Sequence, residues 1–433
     1  MEPAPAPPPN VLLISLDTLR PDRMSLYGAA RETTPVLDAL ARRGVRFTNA
    51  FSPSPWTLPA HAAMLSGRYP ARLSRDADAP LYALAPLLST MLLGRGYATA
   101  AVTGGAFVAA DFGADRGFER FAVGDVADAV AWIDGRAAGR PFFLFFHTYA
   151  VHMPYRDRRF AAGMDGGRLA AIYEGEQPAW EPLHMAVCCT GLELTDQERA
   201  FLLALYDGGI AAADAMVGAL LAALERAGER ERTIVIVTSD HGEEFWEHTG
   251  RAAYHGHTLY DELLRVPLLW VDSTTAAGGT RHEPVGLIDL VPTVLGRLGI
   301  PVPDDLDGVD LGPLLDGAPW PVARELFAEG VRHGPPRYAV RGAAGKLIVA
   351  PHPHLQRGEA AAYPLAAPAR RELYLPGDAR EQRNRSAAAP ALTAALLRDL
   401  RAHRREAAPA APLREPALDP ATRERLRALG YVP

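Results

Sequence analysis

An α/β domain is the fold this sequence predicts, and three observations predict it. Short apolar runs, each ending at polar or acidic residues, recur between longer helical patterns. The runs are continuously apolar rather than alternating, as in a largely parallel sheet buried on both faces. With 433 residues, 48% of them hydrophobic, the chain is long enough for one large domain with a smaller appendage.

Strands are predicted at 11–16, 98–102, 142–147, 234–239 and 268–271. The first helix begins at Thr34-Pro35, a cap residue followed by proline in the first turn, and stops at Gly44. Further helical patterns cover 84–95, 126–136, 196–227 and 287–298. After the turn-rich stretch 301–321 the pattern changes to short strands at 326–331, 338–341 and 346–349. A helix at 391–404, an Ala/Pro-rich linker at 407–412 and a last helical turn at 422–429 complete the chain. The expected units are therefore a catalytic domain over 10–320, a small antiparallel α+β subdomain over 321–405, and a linker with a terminal helix over 406–433. There is no internal repeat.

The formal charge of -6, from 45 basic and 51 acidic residues, provides no field that would hold nucleic acid or an anionic membrane. Cys188 and Cys189 are adjacent, which offers neither a disulfide framework nor a cysteine zinc site. No segment reaches the length expected of a transmembrane span, and the first nine residues lack the apolar stretch of a secretory signal. The cytoplasm is the expected compartment.

In open α/β sheets ligands bind beyond the carboxyl ends of the strands. Three such ends carry chemistry: Asp17, the 147–152 loop with His147 and His152, and Asp240-His241. Thr57 lies two residues before Pro59, a residue suited to a first helical turn, so it should sit just ahead of a helix N-terminus, where a negative oxygen is favoured. Taken alone, Thr57 is an ordinary helix cap. Taken with Asp17, Asp240 and His241 it completes four ligands, hard oxygens plus one nitrogen, for one divalent ion: manganese, magnesium, calcium or zinc. A cation on its oxygen would lower the hydroxyl pKa and orient its attack.

Several segments resemble the sulfatase family of the alkaline-phosphatase superfamily. They are Asn10 to Asp17 with the following Thr-Leu-Arg-Pro-Asp22, the Thr57 segment ending Ser66-Gly67-Arg68-Tyr69-Pro70, Ser239-Asp240-His241-Gly242-Glu243, the stretch Leu259 to Pro267, Asp289 to Thr293, and Glu372-Leu-Tyr-Leu. The resemblance implies an alkaline-phosphatase-like fold, Asp17, Thr57, Asp240 and His241 as metal site, and Thr57 as nucleophile. His152, in His152-Met153-Pro154, resembles the family histidine that contacts the transferred group. The family's lysine near the next segment falls on Gly256, which leaves His255 and His257 both open as replacements.

The sequence also departs from that pattern. Where the family has Cys-x-Pro-x-Arg, with a cysteine or serine converted to formylglycine, Thr57, Pro59 and His61 stand here. Threonine cannot become that aldehyde, and His61 takes the place of the supporting arginine in the substrate site. After Gly96-Tyr97-Ala98-Thr99, the family's lysine position is Gly104. A threonine ester has no carbonyl to collapse to, so attack at phosphorus is the more accessible route. The expected activity is a metal-dependent hydrolysis of phosphate or sulfate esters through Thr57, phosphoesters preferred. A phosphoglycerol or phosphoethanolamine transferase and a non-catalytic binding protein are the alternatives. The substrate is a small-molecule, glycan or lipid ester, and Trp180, Tyr155 and Tyr173 either stack on it or pack beneath a long loop.

Overall fold

The computed structural model describes residues 7–74, 81–137, 139–174, 193–273, 279–320, 323–351, 370–406, 417–429 and 431, without the side chains of 171–174. Cys188, Cys189, Trp180, the side chain of Tyr173 and the linker 407–412 lie outside what is described.

Strands of the main domain are β1 (Asn10–Leu16), β2 (Val45–Phe51), β3 (Ala98–Thr103), β4 (Arg120–Val123), β5 (Phe142–Thr148), β6 (Thr233–Thr238), the ribbon β7 (Glu244–Phe245) and β8 (Ala252–Tyr254), then β9 (Arg265–Val271), β10 (Gly279–Arg281) and β11 (Val285–Gly286). The nine-stranded sheet has the order β10-β2-β9-β6-β1-β5-β3-β4, with β11 also on β2. Only β9 runs against its neighbours. The parallel core therefore sends the carboxyl ends of β1, β3, β5 and β6 to one edge.

β1 is buried along its whole length, and its alternate residues serve opposite faces. Val11 and Leu13 join the cluster that includes Leu58 and Met64 of the helix Thr57–Ser66. Leu12, Ile14 and Leu16 join the cluster that includes Phe201, Leu205 and Val217 of the helix Asp196–Arg226. Each such side chain contributes about 1.5–3 kcal/mol on full burial. The polar first residue is satisfied: Asn10 Nδ2 donates to Glu229 Oε2 at 3.1 Å, and Asn10 Oδ1 accepts from the Phe142 amide at 3.1 Å.

The helix Asp196–Arg226 corrects one expectation. By length and composition it could cross a bilayer, yet most of its apolar window is buried inside the fold. It starts at a capping box, with Thr195 Oγ1 accepting from the Glu198 amide at 3.2 Å and Glu198 Oε2 accepting from the Thr195 amide at 3.0 Å. The predicted helix at 84–95 is shorter, Leu88–Leu93, and that at 287–298 splits into a tight turn, Leu287–Asp289, and the helix Leu290–Arg297.

A second, antiparallel sheet has the order β12 (Leu326–Ala328), β13 (Tyr338–Gly342), β14 (Gly345–Ala350), β15 (Arg370–Tyr374). Helix Pro390–Arg405 closes it, packing Leu396, Leu397 and Leu400 on Val340, Leu347, Val349 and Leu373. Buried Lys346 ties this sheet to the main domain through Asp261 Oδ1 at 2.7 Å and, within the smaller unit, pairs with Glu381 Oε1 at 2.9 Å.

His248 makes a related link. Its Nδ1 donates to Glu262 Oε1 at 2.8 Å and its Nε2 to the Glu381 carbonyl at 3.1 Å, so both nitrogens carry protons. The ring stacks on Tyr260 at 3.6 Å and 9°. Burial lowers the His248 pKa, but Glu262 and the Glu381 carbonyl outweigh it and raise it to about 9. A raised folded-state pKa contributes stability that is complete below the unfolded value, about 6.5, and is lost as pH rises through 9. Thermal unfolding of His248→Ala should therefore fall furthest below wild type near pH 6, with the gap narrowing by pH 10. A gap that is constant across this range would contradict the doubly donating imidazolium.

Candidate active site

The strand register brings the two aspartates together before any side chain is considered. Ser15 pairs with Thr238 on β6 and with His147 on β5. Two residues further along, Asp17 and Asp240 leave adjacent strands at the same level. Asp240 Oδ1 accepts from the amides of His241 at 2.9 Å and Thr18 at 3.3 Å, the latter from a residue with φ 58. Asp240 Oδ2, although buried, has no hydrogen-bond donor. Asp17 is alike: Oδ2 faces His147 Nε2 at 3.2 Å, whereas buried Oδ1 has none.

His147, near the end of β5, is fully buried and serves a structural role. Its Nδ1 accepts from the Gly104 amide at 3.2 Å, which places the ring proton on Nε2 and aims it at Asp17. His241 is fixed in the opposite tautomer. Its Nδ1 donates to the Gly242 carbonyl at 2.8 Å, so the lone pair on Nε2 faces Asp240 Oδ2 at 3.3 Å and Thr57 Oγ1 at 3.4 Å.

Thr57 is the first residue of its helix rather than the residue ahead of it. The cap position is Trp56, and no side chain caps this helix. The hydroxyl is thus free of capping duty, and it lies beside Asp17 with His241 Nε2 at 3.4 Å. Asp17, Thr57, Asp240 and His241 are all fully buried.

This donor set fits a divalent cation. Two orphaned carboxylate oxygens and a bare imidazole nitrogen converge, the ligand atoms of Asp17, Asp240 and His241 lying within 4.8 Å of one another. Burial, followed by the charge of Asp240, holds the Asp17 carboxyl well above its ordinary range, because two buried carboxylates need a shared proton or a cation between them. Oxygen plus one imidazole suits manganese, zinc, magnesium or calcium.

Four other histidines had been singled out, and the structure separates them. His152 and His255 come together, ring centroids 5.1 Å apart, beside His241. The His152 Nδ1 proton goes to the Met153 carbonyl at 2.5 Å, and burial brings its pKa down to about 4. His255 Nδ1 is held by Glu243 Oε1 at 2.8 Å, and burial pushes that carboxyl up to about 7. Tyr155 also donates to Glu243, at 3.2 Å, and is buried against Tyr206, which removes it as a stacking surface for substrate. His257 instead pairs with Glu244 Oε2 at 2.5 Å, outside this group. His61 lies behind the metal ligands: Nε2 accepts from Ser15 Oγ at 2.9 Å, Nδ1 donates to the Thr57 carbonyl at 3.0 Å, and Asp240 Oδ2 is 3.4 Å away. It can steady Asp240 and the first helical turn but does not face a substrate.

Gly104 has a packing reason. A Cβ there would meet Tyr149 Cδ2 at 2.4 Å, and the Tyr149 ring packs edge-on against His147 and His152. An aromatic ring fills the space that a longer side chain at 104 would need. Sequence reasoning missed Tyr149, Glu243 and Tyr431, whose hydroxyl contacts both His152 and His255. Glu243 follows His241 closely enough to have been noticed; Tyr431, at the far end of the chain, carries no local signal.

Metal-stripped protein should gain several degrees of thermal stability on adding manganese or zinc, about 2.7 kcal/mol at a hundredfold excess over Kd. Asp17→Asn and Asp240→Asn should each lose most of that gain. Equal gains in both variants would mean that the ion binds elsewhere.

Comparison with known proteins follows from this geometry. A family model described as Sulfatase matches residues 9–300. Arylsulfatase A of Homo sapiens is 28% identical over 396 residues, covering 74% of this chain and 70% of that protein. A protein solved in complex with its substrate D-glucosamine-2-N,6-O-disulfate superposes with a TM-score of 0.74 at 19% identity, over 92% of this chain and 98% of that one. A phosphonate monoester hydrolase from Silicibacter pomeroyi superposes with a TM-score of 0.69 at 22% identity, over 92% and 96%. The superpositions bear out the alkaline-phosphatase-like fold expected from the sequence.

Proposed function

Since the chain belongs to the sulfatase family and is a hydrolase of ester bonds, we propose that it cleaves phosphodiesters or phosphonate monoesters ahead of sulfates, by way of a covalent ester on Thr57. One observation carries this reading. The Thr57 hydroxyl is buried, relieved of capping, and lies 3.4 Å from His241 Nε2 beside Asp17, where two carboxylate oxygens without donors converge.

A divalent ion held by Asp17, Asp240, His241 and the Thr57 oxygen would supply Lewis acidity, lowering the hydroxyl pKa and neutralising developing charge. The chain's own groups do the rest. Thr57 Oγ1 attacks the central phosphorus, its O–P bond forming as the bond to the leaving oxygen breaks. The hydroxyl proton passes to a bare imidazole nitrogen, His152 Nε2 or His255 Nε2, and from there to the leaving oxygen. In the second half water attacks the Thr57 ester, and its proton returns by the same nitrogen to Thr57 Oγ1. Glu243 and the Met153 carbonyl hold the two rings so that Nε2 points inward.

Charge supports the choice of ester. His61 and Gly104 stand where two fixed cations belong to the family pattern, and burial keeps His61 and His152 below their ordinary pKa. A site with few fixed cations neutralises one substrate charge more readily than two, which ranks dianionic phosphate monoesters last; sulfate esters carry one charge as well, so their place behind the phosphorus esters rests on the nucleophile. Threonine also lacks the aldehyde route by which sulfate is expelled.

Thr57→Ala should lower kcat/KM on an aryl phosphonate monoester by about 10³-fold or more. Acid-quenched wild type should carry the transferred group on the Thr57 peptide. Full activity in the variant would end the nucleophile assignment. A higher kcat/KM on aryl sulfate than on the phosphonate would overturn the phosphorus preference.

A further inference from the structure

The nucleophile and the metal ligands are fully buried, and His152 and His255 are nearly so. An ester reaches them only if something moves. The group that stands against them belongs to a segment remote in sequence: the Tyr431 hydroxyl lies 2.6 Å from His255 Nε2 and 3.1 Å from His152 Nε2, close to the Thr57 hydroxyl. These are the nitrogens and the oxygen that would meet the transferred group.

Tyr431 is delivered by the helix Pro420–Ala428. Asp419 caps that helix, accepting from the Thr422 amide at 2.9 Å, and Leu426 is buried in the main core. The Tyr431 amide donates back to the Leu426 carbonyl at 2.8 Å. Its ring meets Phe107 edge-on at 4.7 Å, and the Arg332 guanidinium lies 5.5 Å from its centroid. The phenol is therefore placed by a built support.

Building on the reading above, we propose that Tyr431 is an internal competitor for the seat of the transferred group. Its hydroxyl takes the position of one oxyanion oxygen between His152 and His255, and the Tyr431 ring must withdraw before an ester reaches Thr57. An oxygen of phosphate or sulfate at hydrogen-bond distance from both imidazoles would overlap the phenol oxygen, so the two cannot share the seat. The phenol is also a weak occupant. The Met153 carbonyl leaves His152 Nε2 with a lone pair, and the phenol has a single proton to offer two rings. A hydrogen phosphate offers the same kind of O–H to those nitrogens and adds negative charge, which the Thr57 helix N-terminus and a cation held by Asp17, Asp240 and His241 would attract. Displacement needs no unfolding of the terminal helix, because Leu426 anchors it independently of the ring.

The test measures inorganic phosphate and sulfate binding by calorimetry in metal-loaded wild type, Tyr431→Ala and Tyr431→Phe. If the phenol occupies the seat most of the time, Tyr431→Ala binds phosphate about 10-fold tighter, and its KM for an aryl phosphonate monoester falls by about the same factor. Tyr431→Phe, which keeps the ring and its Phe107 contact, lies between. Unchanged phosphate affinity in both variants, or a drop in kcat/KM for Tyr431→Ala at an unaltered melting temperature, overturns the proposal. Phosphate titration requires no turnover, so repeating it on a Thr57→Ala background separates the two readings. Tighter binding there with full activity in Thr57→Ala would sink the nucleophile and leave the competitor standing.

Discussion

Two carboxylates that leave neighbouring parallel strands at one level, out of water, are the constraint from which the site follows. Their proximity is set by backbone register, Ser15 against Thr238, and no side-chain choice relaxes it. Backbone amides satisfy one oxygen of Asp240, and His147 satisfies one of Asp17, so each keeps one oxygen without a donor. Like charges at that separation in a poorly solvated interior are unfavourable until a cation joins them. The His241 lone pair, directed at the same point by the Gly242 carbonyl, adds to the demand.

The surrounding imidazoles are arranged by the same kind of constraint. Carbonyls of Gly242, Met153 and Thr57 each take an Nδ1 proton, and the Gly104 amide takes the lone pair of His147. A carbonyl only accepts and an amide N–H only donates, so tautomers here are written into the backbone. That matters because neutral imidazole has one acid and one base nitrogen, and each role is spent or kept according to which atom the backbone engages. Behind the site His61 and His147 spend both nitrogens on structure, whereas the Nε2 atoms of His152 and His255 face the Tyr431 hydroxyl.

Much of this was legible in the sequence because the informative residues follow apolar strands directly. Asp17 and Asp240-His241 needed only the rule that strand ends carry chemistry, and β1, β3, β5 and β6 are mostly apolar and almost wholly buried. β2 was missed because Val45–Phe51 mixes polar and apolar residues, its intermediate positions being only partly covered. β4 is four residues long with no buried position. The choice between His255 and His257 was not decidable from spacing, since it depends on which of Glu243 and Glu244 each ring reaches around a sharp turn. Thr57 was placed one residue early because its helix begins without a side-chain cap, and propensity rules look for one. Tyr431 was invisible for a different reason: its role rests on where a terminal helix docks, a tertiary fact with no local periodicity.

The departures from the family pattern form a connected set. Replacing a long cation by Gly104 opens space that Tyr149 fills, and the Tyr149 ring then packs on both His147 and His152. Placing His61 where an arginine belongs removes a second cation, and the shorter ring reaches Ser15 and the Thr57 carbonyl instead of the substrate. Both changes exchange fixed positive charge for neutral groups that pack. On the proposed reading a divalent cation held by the two carboxylates would leave little net charge, which suits a substrate that brings one negative charge rather than two. A threonine nucleophile is consistent with that balance, because attack on a monoanionic phosphorus centre meets less repulsion than attack on a dianion. The substitutions at 57, 61 and 104 are therefore better understood as one adjustment of charge and leaving-group chemistry than as three separate losses.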